Sequence, residues 1–170
     1  MLFGDVIATI AGLIGISLTT WATMLACALL FAPKTVAARR ALDGKLAPVF
    51  FKGLLVLLIG GGLAVGLISA PPVAAKVVGL GLLAIVLATG AVGTAGIATL
   101  TSERIRQLHP AMSEFTALSR GSGILIAASI LPVAGTFLFF PAIIIMGLGA
   151  GYSALFGRVR LAKSPVSEVA

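Results

Sequence analysis

Long apolar stretches alternate with short polar ones along this chain, and their lengths are those of membrane-spanning helices. A span needs roughly 20 mainly apolar residues, because each adds about 1.5 Å across a hydrocarbon core about 30 Å thick. Residues 6–31 meet this, and Pro33 supplies a stop just beyond them. A second run covers residues 46–70, with Lys52 close enough to its start for the long side chain to reach the headgroups. "SAPP" ends that run, since two consecutive prolines cannot continue a helix. The third run, residues 73–100, follows at once, with Lys76 near its start. So short a connection predicts an antiparallel hairpin.

The last apolar stretch, Gly121 to Phe156, holds no charged residue and is long for one span yet barely enough for two. Pro132 and Pro141 each remove a helix donor and crowd the preceding turn, and Gly135 lies between them. The expectation is a tight helical hairpin with spans 121–135 and 138–156, turning around "LPVAGTFLFFP". A re-entrant hairpin, or one long kinked helix giving four spans in all, are the alternatives.

Two polar connectors remain, residues 32–45 and 101–120, with a short tail at 157–170. In the second connector Pro110 is expected to open a short helix, as proline suits a first helical position. Ala111, Met112, Phe115 and Leu118 would then share one face opposite Ser113, Glu114 and Thr116. Such a piece lies at a membrane interface; a polar loop with two turns of helix is the other reading.

Composition agrees with the pattern. Mean hydropathy is +1.19, and only 10% of the 170 residues are charged, where soluble domains carry about a quarter. Too little polar surface exists to cover a water-facing globule. The fold class expected is an all-α integral membrane protein, one membrane-embedded helical bundle of five spans over residues 1–170.

Charge then orients it. Twelve Lys and Arg stand against five Asp and Glu, a net +7. They sit between and after the apolar runs without interleaved aromatics, which excludes a nucleic-acid platform. Lys and Arg accumulate in short cytoplasmic loops. Placing both connectors inside puts Lys34, Arg39, Arg40, Lys45, Arg104, Arg106 and Arg120 on that side and leaves Lys76 outside. The N-terminus is then outside. The tail, with Arg158, Arg160 and Lys163, joins the cytoplasmic side only if 121–156 crosses twice or returns. The expected location is the inner, cytoplasmic membrane of a bacterium. Arg39, Arg40, Arg104, Arg106, Arg158 and Arg160 are candidate contacts for anionic lipid headgroups, at about 1 kcal/mol per residue near the surface, or for a partner.

Candidate chemistry is sparse. An ionisable group at mid-span usually marks an ion path or substrate site, but Asp5, Lys52 and Lys76 lie at helix ends and Glu103 and Glu114 in a connector. His109 is the only histidine and Cys27 the only cysteine, so neither a histidine cluster for metal nor an internal disulfide can form. "TMLAC" resembles a lipoprotein cleavage box, yet the leader "MLFGDV" carries Asp5 and no Lys or Arg, so the segment reads as a retained helix. No cofactor, metal or enzymatic activity is expected. Ser17, Thr20, Thr23 and Cys27 form a weakly polar stripe that is expected to bond back to its own helix or across an interface.

The glycines are more informative. Gly62 and Gly66, and Gly147 and Gly151, stand four apart, while Gly90, Gly93 and Gly96 stand three apart. Small residues at these spacings let helix backbones approach closely in lipid. The first two pairs are expected to pack within one chain.

A glycine-rich helix followed by "RIRQLHP" and a further apolar helix resembles the hairpin of a rotary ATPase proteolipid ring subunit. The resemblance implies a proton-carrying carboxylate in the second helix. Gly121 to Phe156 contains no Asp or Glu, so the likeness stops short of the functional group.

The functional expectation is a non-catalytic membrane subunit or scaffold that packs with a second copy or with another membrane protein. The alternative is a small channel or transporter with its site at the broken last segment, Pro132, Gly135 and Pro141.

Overall fold

The computed structural model describes residues 3–44, 46–130 and 135–157. They form seven α-helices: α1 Phe3–Leu30, α2 Ala32–Gly44, α3 Leu46–Val56, α4 Gly62–Ser69, α5 Val73–Leu108, α6 Glu114–Ile130 and α7 Phe140–Phe156. Two wide π-helical turns, Leu57–Gly61 and Gly135–Phe139, lead into α4 and α7. Among the described residues there is no strand. Four stretches are long and apolar enough to cross a membrane: Gly4–Leu30, Leu46–Ser69, Val73–Leu108 and Phe137–Phe156.

The axis of the bundle is α5. Its 36 residues extend about 54 Å at 1.5 Å per residue, well beyond a hydrocarbon core of about 30 Å. Helices α1, α2, α4, α6 and α7 all pack on it, and α3 packs on α7. The expected hairpin of the second and third runs is present. Gly60 meets Val86 and Gly79 meets Ala64 and Ile68, so α3–α4 and α5 lie side by side in opposite directions. Pro72 caps α5 in an extended conformation, and its carbonyl accepts the amides of Ala75 and Lys76.

The first connector is not a loop. Pro33 opens α2 rather than merely ending α1, because a proline's missing N–H is harmless in a first turn. Thr35, Ala38 and Leu42 are buried, with Ala38 and Leu42 packed against Ala150 and Ala154 of α7. The second connector also differs from expectation. Residues 101–108 prolong α5, and Pro110 lies in the turn at 109–113 instead of starting a helix. Helix α6 begins at Glu114, where the Ser113 hydroxyl accepts the Thr116 amide at 3.3 Å, an N-cap. It then continues unbroken to Ile130, so no separate amphipathic element exists. Its buried side is Ala117, Leu118, Gly121 and Ser122, while Phe115 is exposed.

The last apolar stretch is folded back rather than forming one kinked helix. From the 109–113 turn, α6 returns along α5, with Gly121 against Ala98 and Ser102. Helix α7 runs opposite to α3, since Gly53 meets Ile145 and Gly149 while Gly149 meets Val49. Because α3–α4 is itself antiparallel to α5, α6 and α7 point in opposite directions. Helix α6 ends at Ile130 and helical structure is present again from Gly135, ahead of the far end of the expected Pro132–Pro141 turn. Pro132 lies outside the described residues, and Pro141 sits in the first turn of α7, past chain already helical from Gly135. Gly135 is the tight point. A Cβ there would lie 2.6 Å from the carbonyl oxygen of Ser129, so only glycine fits where the π turn starts against the end of α6.

The first π turn, at Leu57–Gly61, interrupts an apolar run that the sequence pattern reads as uniform. Gly60, Gly61 and Gly62 follow one another there, and without side chains they give the local helix little resistance to widening.

Candidate functional site

Three features merit description: a backbone contact at the centre of the bundle, an ionic cluster at its basic end, and a cleft beside α1.

At the centre, α7 is held between α3 and α5 by alternate glycines. A Cβ on Gly93 would run into the Gly147 carbonyl and lie 2.7 Å from the Gly151 amide nitrogen. A Cβ on Gly151 would meet the Thr89 carbonyl, and one on Gly147 would lie 2.7 Å from the Thr94 methyl. On the opposite side of α7, Gly149 meets Val49 and Gly53 of α3. Gly96 faces α2, where a Cβ would come within 2.7 Å of the Ala38 side chain. Gly90 makes an ordinary contact with Leu148.

The glycines read from spacing therefore divide. Gly93, Gly96, Gly147 and Gly151 lie at close helix contacts, whereas Gly62 and Gly66 have nothing within 4 Å. The expected packing of Gly62 and Gly66 inside the chain is not seen among the described residues: a Cβ at either meets nothing, and Gly62 borders the cleft between α1 and α4. Gly53, Gly79, Gly121 and Gly149 approach neighbouring backbones as closely but were not singled out. Only Gly149 had a signal, its place inside "GLGAG".

At the end where α5 finishes, Arg39 of α2 bridges to Glu103 of α5 and also sits 3.5 Å from Asp43. Arg106 and Glu114 form a looser, exposed pair at 3.6 Å across the 109–113 turn. Arg40 and Arg104 are exposed and form no ion pair among the described residues. Arg158 and Arg160 lie outside the described residues. His109 ends α5 in an exposed position, its amide bonded to the Ile105 carbonyl at 3.0 Å. Among the described residues, no three His, Cys, Asp or Glu side chains gather in a way that could hold a metal.

The cleft arises because α1 packs on α2, α5 and α6 and scarcely touches α3 or α4. Between α1 and α4, floored by α5, is a space of about 730 Å³. Leu57, Val65, Val86 and Leu148 make its lining mainly apolar, and Thr19, Thr20, Thr23 and Thr94 supply its hydroxyls. Each hydroxyl donates to a backbone carbonyl: Thr19 to Gly15, Thr20 to Ile16, Thr23 to Thr19 and Thr94 to Ala91, at 2.7–3.1 Å. Ser17 likewise donates to Leu13 at 2.7 Å. Ser17, Thr20 and Thr23 of the α1 stripe thus bond back to their own helix. On the other side of α1 a groove of about 560 Å³ lies against α6, lined by Ile10, Ile14, Ile126 and Ile130. Trp21 closes one end, its indole N–H donating to the Ser119 carbonyl at 3.3 Å. Neither space is lined by Gly135 or Pro141.

The chain matches no family model, no curated protein and no solved structure.

Proposed function

We propose that this chain is a non-catalytic integral membrane subunit or scaffold that packs with a second copy or with another membrane protein. In this reading it crosses a bacterial inner membrane five times, α6 adding a crossing to the four long apolar stretches. The N-terminus is outside and the C-terminal tail cytoplasmic. Support for five crossings comes from the opposite directions of α6 and α7. Support for the orientation comes from the gathering of Arg39, Arg40, Arg104, Arg106 and Arg120 at one end of the bundle, as cytoplasmic ends require. The exposed ones, Arg40 and Arg104 among them, suit anionic headgroups.

The observation that carries the assembly reading is the open Gly62–Gly66 face of α4. The same four-residue spacing is used at Gly147–Gly151 to seat one helix on another, yet at Gly62–Gly66 nothing of this chain comes within 4 Å. A small-residue face of that kind lets a further helix approach closely. Purification in nanodiscs after gentle extraction tests it. The expected result is a homo-oligomer or a co-purifying membrane protein, dissociated by Gly62→Ile with Gly66→Ile. A monodisperse, partner-free monomer overturns the reading.

A small channel or transporter working at the α6–α7 reversal is the second reading. It is favoured by the π turn at Gly135–Phe139, since such turns collect at functional sites. Solute flux into liposomes that is abolished by changes at Gly135 or Pro141 would replace the first reading with this one.

A further inference from the structure

We propose that the cleft between α1 and α4 is a binding site for a lipid-soluble amphiphile carrying a hydroxyl group, a long-chain alcohol in its simplest form. Its volume of about 730 Å³ falls in the range of small-molecule pockets, roughly 300–1,000 Å³, and pockets between bundle helices are typically apolar with a few placed polar groups. Those groups are the four threonines. A hydroxyl has one proton and two lone pairs, and here each proton is already committed to a carbonyl of its own helix. What remains for a guest is acceptor capacity without a free donor. A guest hydroxyl finds a partner at once, whereas an ether or ester oxygen finds one only if a threonine gives up its backbone bond. No charged side chain lines the cleft, so a bare ion would have no counter-charge, which is costly at this depth. The poor contact between α1 and the α3–α4 helix leaves a lateral opening through which an alkyl tail can enter or extend into the bilayer.

The groove between α1 and α6 serves as an internal control. It is of similar size, but Ser17 is its only hydroxyl-bearing residue. With one such acceptor against four in the cleft, it should favour a hydroxyl head group less.

The test uses the full chain in phosphatidylcholine nanodiscs with two photoreactive probes, hexadecanol bearing a diazirine in its tail and the corresponding methyl ether. Labelled peptides are mapped by mass spectrometry. The alcohol is expected to label the cleft segments of α1, α4 and α5 roughly fivefold over the ether, the worth of about one net hydrogen bond. Excess unlabelled hexadecanol should compete, and the α1–α6 groove should discriminate less between the probes. Thr19→Val, Thr20→Val, Thr23→Val and Thr94→Val together should erase the preference while leaving the elution profile unchanged. Equal labelling of the cleft by both probes in the unaltered protein overturns the proposal, independently of whether the valine variant folds. So does a preference that is the same in both grooves, or one that survives in a folded valine variant.

Discussion

Gly93 of α5 and Gly147 of α7 meet backbone to backbone, so closely that a methyl group on Gly93 would collide with the Gly147 carbonyl oxygen. The obstacle is rigid helix backbone, not the flexible end of a side chain. Overpacking of well-packed sites typically costs about 1–3 kcal/mol, sometimes more. Gly93→Ala is therefore expected to destabilise by at least that much, seen as a lower thermal midpoint in detergent. Gly66→Ala, whose Cβ meets nothing, should stay within about 0.5 kcal/mol. Equal effects of the two changes would refute the contact at α5–α7.

Arg39 ties α2 to α5 through Glu103. The side chains are 29% and 42% exposed, so solvent screens the pair, and exposed pairs are worth about 0.2–1 kcal/mol. A double-mutant cycle of Arg39→Gln and Glu103→Gln should give a coupling in that range. The coupling should shrink as salt rises, since the Debye length falls from about 10 Å at 0.1 M to about 3 Å at 1 M. Zero coupling at low salt would show that apolar packing of Ala38 and Leu42 alone holds α2.

Trp21 is the only tryptophan, and its indole reaches across to the Ser119 carbonyl. Trp21→Phe keeps an aromatic ring but removes the donor. A loss of about 0.5–1.5 kcal/mol is expected from one hydrogen bond. Trp21→Ala should cost more, because Trp21 also packs against the cluster of Met24, Leu25, Ala28 and Leu118. If phenylalanine is as destabilising as alanine, the hydrogen bond rather than the ring is the main tie between α1 and α6.

Five crossings require the two ends of the chain to lie on opposite sides of the membrane. Cys27 is the only cysteine, so a Cys27→Ala background permits single reporters at Gly4→Cys, Met112→Cys and Gly157→Cys. A membrane-impermeant maleimide added to intact cells should label position 4 and spare positions 112 and 157. Labelling of 4 and 157 from the same side would leave an even number of crossings and overturn the five-span arrangement.

Much of this fold is legible in the sequence. The runs at 46–70 and 73–100 with "SAPP" between them could hardly be other than a hairpin, because proline chemistry and run length act locally. The fold-back of 121–156 was also readable, from two prolines and a length that suited neither one span nor two full ones. Less legible was α2. Its Lys34, Arg39, Arg40 and Asp43 look like a solvated loop, yet Ala38 and Leu42 are buried, and Arg39 is drawn in by Glu103, 64 residues further along the chain. Nothing near Arg39 in sequence announces that partner.

The glycines mark the boundary most clearly. Run length and polarity alone determined that this chain is helical and suited to a bilayer, because transfer of a segment into hydrocarbon depends on its own composition and length. Which face of each helix turns inward was decided only by the tertiary structure. In water an apolar stripe reveals the buried side, but in lipid the outward face is apolar too, and that signal vanishes. Gly62–Gly66 and Gly147–Gly151 carry the same spacing; one pair is open and the other seats α7 on α5. The difference lies in where neighbouring backbones pass, and that in turn leaves α1 standing away from α4 and opens the threonine-lined cleft between them.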